Sequence, residues 1–112
     1  MLARHLVYGM MSNMKMNIQD ALGCSIHKLS INLGKGLWLT FANGYTLSIQ
    51  IGEHNYCHPE KTRFGIESPD CEMAIIDPEG ELIPWPEFDC DTVGGYIHTS
   101  QIPTWIQYVS NL

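Results

Sequence analysis

The stretch that most constrains this chain is 37–51, LWLTFANGYTLSIQI. Leu37, Leu39 and Phe41 alternate with Trp38 and Thr40; Tyr45, Leu47, Ile49 and Ile51 alternate with Thr46, Ser48 and Gln50. A period of two belongs to half-buried strands, because successive side chains leave a strand on opposite faces. The two runs therefore predict a hairpin, and burial chooses its register. A two-residue Asn43-Gly44 turn would pair Thr40 with Leu47 and Trp38 with Ile49, dividing the apolar set between faces. A three-residue loop, Ala42-Asn43-Gly44, pairs Phe41 with Tyr45, Leu39 with Leu47 and Leu37 with Ile49, all on one face. A slip of one residue exchanges the faces, so the second register is expected. Gly44 then takes the left-handed position that closes such a loop.

Around this hairpin the other elements fall into place. HKLSINL is a first strand. CEMAIID, 71–77, has a centre apolar on both faces, as a central strand would. DPEG at 77–80 is a turn. ELIPW returns as a short strand that Pro84 confines to an edge, and DTVGGYIH is a last strand. Ile102, Trp105, Ile106, Val109 and Leu112 recur at the three-and-four spacing of one buried helix face, with Ser100 as N-cap and Pro103 in the first turn. Upstream, Leu2, Leu6, Met10 and Met14 have helical spacing, and Asn17 begins a short helix that Gly23 stops. The expected fold is α+β: an antiparallel sheet of four or five strands with a C-terminal helix packed on one face. Residues 1–112 form a single domain, with 1–23 as a peripheral helical segment.

Composition excludes several classes. Charged residues are 16% and hydrophobic ones 45%, which suits a folded domain rather than a disordered chain. A net charge of −6 argues against duplex nucleic acid as a partner, since that needs a basic face to displace counterions. No apolar run is long enough to span a membrane. Cys24, Cys57, Cys71 and Cys90 are widely spaced and follow no secretory signal, so they are expected as reduced thiols in a cytosolic setting. The shortness of the chain favours a homo-oligomer.

Phe41, Asn43, Gly44, Tyr45, Gly52, Asn55, Tyr56, Cys57, Asp77, Gly80, Gly95 and Tyr96 make up a further pattern. It runs aromatic-x-Asn-Gly-aromatic, Gly-x-x-Asn-Tyr-Cys, Asp-x-x-Gly, then Gly-Tyr before the last helix. Over 41–112 this resembles a family of small accessory proteins of tailed bacteriophages. The resemblance implies a phage gene product in the cytoplasm of an infected bacterial host.

The candidate chemistry lies in the long polar connection 52–70, where His54, Asn55, Tyr56, Cys57 and His58 are consecutive. In one reading His54, Asn55, Tyr56 and His58 join Lys61, Arg63 and Tyr96 in a ligand pocket. Arginine's planar fork suits phosphate, and tyrosine rings stack on bases. The ligand would be a small phosphorylated or nucleotide molecule. The plainer alternative is two solvated cations balancing Glu60 and Glu67. In another reading His54, Cys57 and His58 hold zinc, which would serve hydrolysis, with Cys71 or Cys90 completing the site; the spacing lacks a paired Cys-x-x-Cys. Against it stands an inward-folded Tyr56 and Cys57 plugging the core. Cys57 beside His58 makes a weak nucleophile-base pair, because neighbours on an extended chain point apart. Trp38 and Trp85 form a third candidate, an aromatic surface for a protein partner. The sum favours a non-enzymatic binding protein. It would serve counter-defence by sequestering a nucleotide signal or by inhibiting a host defence protein.

Overall fold

A computed structural model describes residues 26–32, 36–88 and 90–112. The helical segments expected within 1–23, together with Cys24 and Lys35, lie outside them. The described chain forms β1 (Ile26–Asn32), β2 (Gly36–Phe41), β3 (Thr46–Gln50), β4 (Glu60–Thr62), β5 (Gly65–Glu67), β6 (Asp70–Ile76), β7 (Leu82–Ile83) and β8 (Val93–His98). A 3₁₀ turn, Thr99–Gln101, then leads into α1 (Ile102–Ser110). The architecture is α+β: a six-stranded antiparallel sheet with one helix after it.

The hairpin takes the expected register, with Leu37 opposite Ile49 and Leu39 opposite Leu47. The Phe41 N–H donates to the Tyr45 carbonyl and the Gly44 N–H to the Phe41 carbonyl, both at 2.9 Å. Gly44 has φ +90°, the conformation glycine adopts without strain. Asn43 has a second task that the turn pattern does not reveal. Its amide donates to the carbonyls of Val109 at 2.9 Å and Leu112 at 3.2 Å, so the hairpin tip satisfies the end of α1.

The sheet order is β1-β2-β3-β6, and β6's remaining edge is shared. β8 pairs with residues 70–74 and β7 with 75–76, so the two lie end to end. Between them the chain leaves the sheet and carries Trp85 into the core, so the two expected strands share one edge of β6. Connection 52–70 also contains a small separate hairpin, β4 with β5. Its strands, EKT and GIE, lack the apolar alternation that marks a buried pair.

Phe41, Leu47, Met73, Ile75, Trp85 and Val109 are the centre of the core, with Cys71, Ile97 and Trp105 beside them. Each large apolar side chain removed from water contributes about 1.5–3 kcal/mol. Trp85 is fully buried with its ring centroid 4.3 Å from that of Trp105, so it is a core residue and not part of an exposed aromatic surface. Trp38 stands part-exposed on the opposite face, as expected. In α1, Trp105 and Val109 are buried, while Leu112 falls beyond the helix end and is exposed. The 3₁₀ turn displaces the expected Ser100 cap: the His98 ring accepts from the Ser100 N–H at 3.1 Å, and Gln101 precedes α1.

Gly94 sits directly under Trp85, where an added Cβ would stand 2.4 Å from the indole ring. Gly94→Ala is therefore expected to push Trp85 off Trp105 and cost about 1–3 kcal/mol. Urea denaturation followed by tryptophan emission checks this; an unchanged midpoint would contradict the packing.

Candidate functional site

The site begins with a loop that has little secondary structure of its own. Residues 52–58 make two internal backbone bonds, Asn55 N–H to Gly52 O at 3.1 Å and Cys57 N–H to Asn55 O at 2.9 Å. The loop is held instead by two carboxylates of β6, two positions apart and so on one face. Glu72 accepts from the Asn55 amide at 2.7 Å and from the Tyr56 N–H at 3.1 Å. Asp70 accepts from the His58 N–H at 2.7 Å and from the His58 ring at 2.6 Å. The Ser68 hydroxyl also donates to Asp70, at 3.0 Å. Gln50 reaches the same network from β3, accepting from Asn55 at 3.3 Å.

The loop's far side rests on β8. Between Cys71–Ile97 and Met73–Gly94 the register slips, so β8 carries an extra residue and bulges at Gly95-Tyr96. The Tyr96 N–H turns to the Tyr56 carbonyl at 2.9 Å. Gly95 leaves room for Tyr56, whose Cβ would lie 2.7 Å from a Cβ at that position. The left-handed residue of the bulge is not a glycine: Tyr96 has φ +54°. A non-glycine residue there costs on the order of 1–3 kcal/mol, and such positions cluster at functional sites.

Three rings meet at this point. The His58 and Tyr96 centroids are 5.1 Å apart, and those of Tyr56 and Tyr96 6.0 Å. All three are outward: Tyr56 is 58% exposed, Tyr96 56% and the His58 side chain 71%. Asp70 is buried. Burial raises its carboxyl, but hydrogen bonds from the His58 ring, the His58 N–H and Ser68 outweigh this and hold it below the ordinary 3.8. A carboxylate facing Nδ1 fixes the proton on that nitrogen and leaves Nε2 as the outward atom. Nε2 is then free to make a hydrogen bond to a ligand beside the Tyr96 ring.

The predicted residues separate into groups. Tyr56, His58 and Tyr96 come together, and Asn55 supports them through Glu72. Tyr56 points outward, so the alternative in which it plugs the core does not hold for it, because Glu72 and Tyr96 hold its backbone at the rim; only Cys57 of that pair is buried. His54 is exposed in the preceding turn. Lys61 and Arg63 stand exposed on the β4–β5 hairpin, with the Arg63 guanidinium 5.4 Å from the Phe64 ring centroid. The cleft at that hairpin's base is lined by Glu60, Glu67, Ser68 and Pro69, so it is acidic rather than basic.

Among the described residues no three of His, Cys, Asp and Glu converge as metal ligands. Cys57 is buried with its thiol toward the Gly52 carbonyl at 3.5 Å, away from its neighbour's ring. Burial, with Asp70 and Cys57 nearby, pushes the Cys71 thiol up to about 11, which makes it a poor nucleophile. Cys57, Cys71 and Cys90 are free thiols; the first two are buried and Cys90 is exposed.

Sequence reasoning missed Asp70, Glu72 and Gln50. The available signal was a pair of acids at alternate positions on a strand whose other positions are apolar. On the same face beyond Glu72 lies an open groove of about 390 Å³ bordered by Trp38, Ser48, Gln50, Leu82 and Val93.

No family model matches this chain, and no curated protein or solved structure matches it either.

Asp70→Asn tests the anchor. Because the folded carboxyl lies below its unfolded value, its stabilisation is present above the ordinary aspartate range. It is lost as pH falls through the folded value, below about pH 4. The variant is expected to lose about 1.5–3 kcal/mol at neutral pH and to lack this part of the wild type's acid sensitivity. Urea titrations across pH measure both, and nitrogen NMR of His58 shows whether Nδ1 keeps its proton.

Proposed function

We propose that this protein acts by binding, and that its ligand is a small nucleotide held at the Tyr56–His58–Tyr96 face. The observation that carries the reading is His58, fixed by a buried carboxylate with Nε2 turned outward beside the exposed Tyr96 ring, which in turn neighbours Tyr56. Holding Tyr96 in a strained conformation costs stability, and a surface without a task has no use for that. The rings offer stacking surfaces for a base, worth about 1–3 kcal/mol each in single-strand complexes. His58 supplies a directional contact to a phosphate or sugar oxygen. The acidic cleft beside β4 disfavours phosphate there, which directs the anion toward His58. Lys61 and Arg63 extend from the hairpin that starts two residues after His58, where they add positive charge at longer range.

The resemblance over 41–112 implies a phage gene product in an infected bacterium; withholding a nucleotide signal from the host, as counter-defence, is the role proposed for it in that setting. A host defence protein docking on the same rings would be the other way to use the surface.

Titrating the protein with mononucleotides and cyclic dinucleotides, followed by NMR, tests the reading. At least one should shift Tyr56, His58 and Tyr96 together, and His58→Ala should weaken it at least tenfold, about 1.4 kcal/mol. Tyr96→Gly separates function from folding. It should hold or raise stability, because glycine adopts φ +54° freely, while losing the ligand. No response to any nucleotide, with capture of a host protein abolished by the same variants, would replace the small ligand with a protein partner.

A further inference from the structure

The two ends of the main sheet differ. At one end β7 has two residues and is followed by Pro84, and β8 is broken by its bulge at Gly95-Tyr96. Such edges resist strand addition. At the other end β1 is seven residues long, has no proline, and pairs only with β2 among the described residues; it bulges once, between Ile26 and Lys28, and is regular over 28–32, the span the proposal uses. Its outer edge therefore offers a row of backbone donors and acceptors. Its side chains are unusual for an edge left in water. Leu29 is 60% exposed and Ile31 77%, and both lie on the face of Leu39 and Leu37, their partners in β2.

We propose that β1 is where two copies of this chain pair, edge to edge and antiparallel, about a two-fold axis at Ser30. Three features select a second copy. First, the strand is self-complementary in that register. Leu29 meets the partner's Ile31, and Ile31 meets the partner's Leu29, all on one face. Lys28 meets the partner's Asn32, so no like charges are opposed. Second, β1 carries no acidic residue although the chain has a net charge of −6, so two copies repel least along this strand. Third, the regular 28–32 stretch of β1 gives the main sheet one pairable edge per chain, which closes the assembly at two, where two such edges would build a filament. The inference stands apart from the ligand reading, since none of its residues belongs to the three-ring face.

Sedimentation and light scattering of the full chain should give twice the 12.7 kDa chain mass. Leu29→Lys with Ile31→Lys should give a folded monomer, since both positions are already exposed. Ser30→Cys, in a background with Cys24 and Cys90 changed to Ser, should cross-link to itself under mild oxidation. Directly opposed residues of antiparallel strands lie about 4.5–5.5 Å apart at Cα, within disulfide range. Gln107→Cys, on α1, should not cross-link in that background. A wild-type monomer at every concentration overturns the proposal, including one whose β1 edge is taken by a segment upstream of Ile26. A dimer that survives the double lysine variant, or one without the Ser30→Cys cross-link, overturns it as well.

Discussion

Asp70 and Glu72 hold the rest of the functional surface in place. The loop between β3 and β4 must present polar backbone groups that neither a helix nor a ladder can satisfy. The two carboxylates accept four donors from three consecutive parts of that loop, Asn55, Tyr56 and His58. Charge-assisted bonds of this kind are stronger than neutral ones, so the loop is fixed without a core of its own. Everything at the rim depends on the result. Tyr56 is placed with its carbonyl toward Tyr96; that bond supports the bulge, and the bulge sets the third ring beside His58.

This economy rests on the alternation of β6. Cys71, Met73 and Ile75 face inward against Phe41, Leu47 and Trp105, while Asp70 and Glu72 face outward under the loop. One central strand therefore serves as both core and anchor. Packing on the inner side fixes where the carboxylates stand, to within the tolerance of a close-packed interior. Asp70 is buried on the outer side because the loop covers it, and the bonds it receives offset the cost of that burial.

The sequence revealed what local periodicity controls. The hairpin, its three-residue loop and the position of Gly44 follow from alternation and burial alone, and the structure has them. The helix after the last strand was legible from the spacing of Trp105 and Val109. The site was legible only as a cluster of residue types. Its geometry depends on bonds spanning 12 positions from His58 to Asp70 and 17 from Asn55 to Glu72, which no local pattern encodes. The errors have the same origin. The alternative of a core-plugging Tyr56 could not be dismissed from the sequence, because its carbonyl's partner, Tyr96, lies far along the chain. Trp85 between two prolines resembled a surface residue until Gly94, nine positions later, opened the space beneath it. The second task of Asn43, across 66 positions to Val109, was hidden by its ordinary role in a turn.

The bulge in β8 does two things at once, and they explain why the ends of the sheet differ. It turns the Tyr96 N–H out of the ladder toward the loop, which builds the three-ring face. The same irregularity spoils that end of the sheet as a template for another strand. The edge proposed for pairing, β1, lies three strands away from β6 in the sheet order. Two chains joined at β1 would carry their ring clusters toward opposite ends of one continuous sheet. Neither cluster would then be covered by assembly, and each dimer would offer two sites. On these two proposals a ligand would not compete with the partner chain, because strand order separates the three-ring face from the β1 edge.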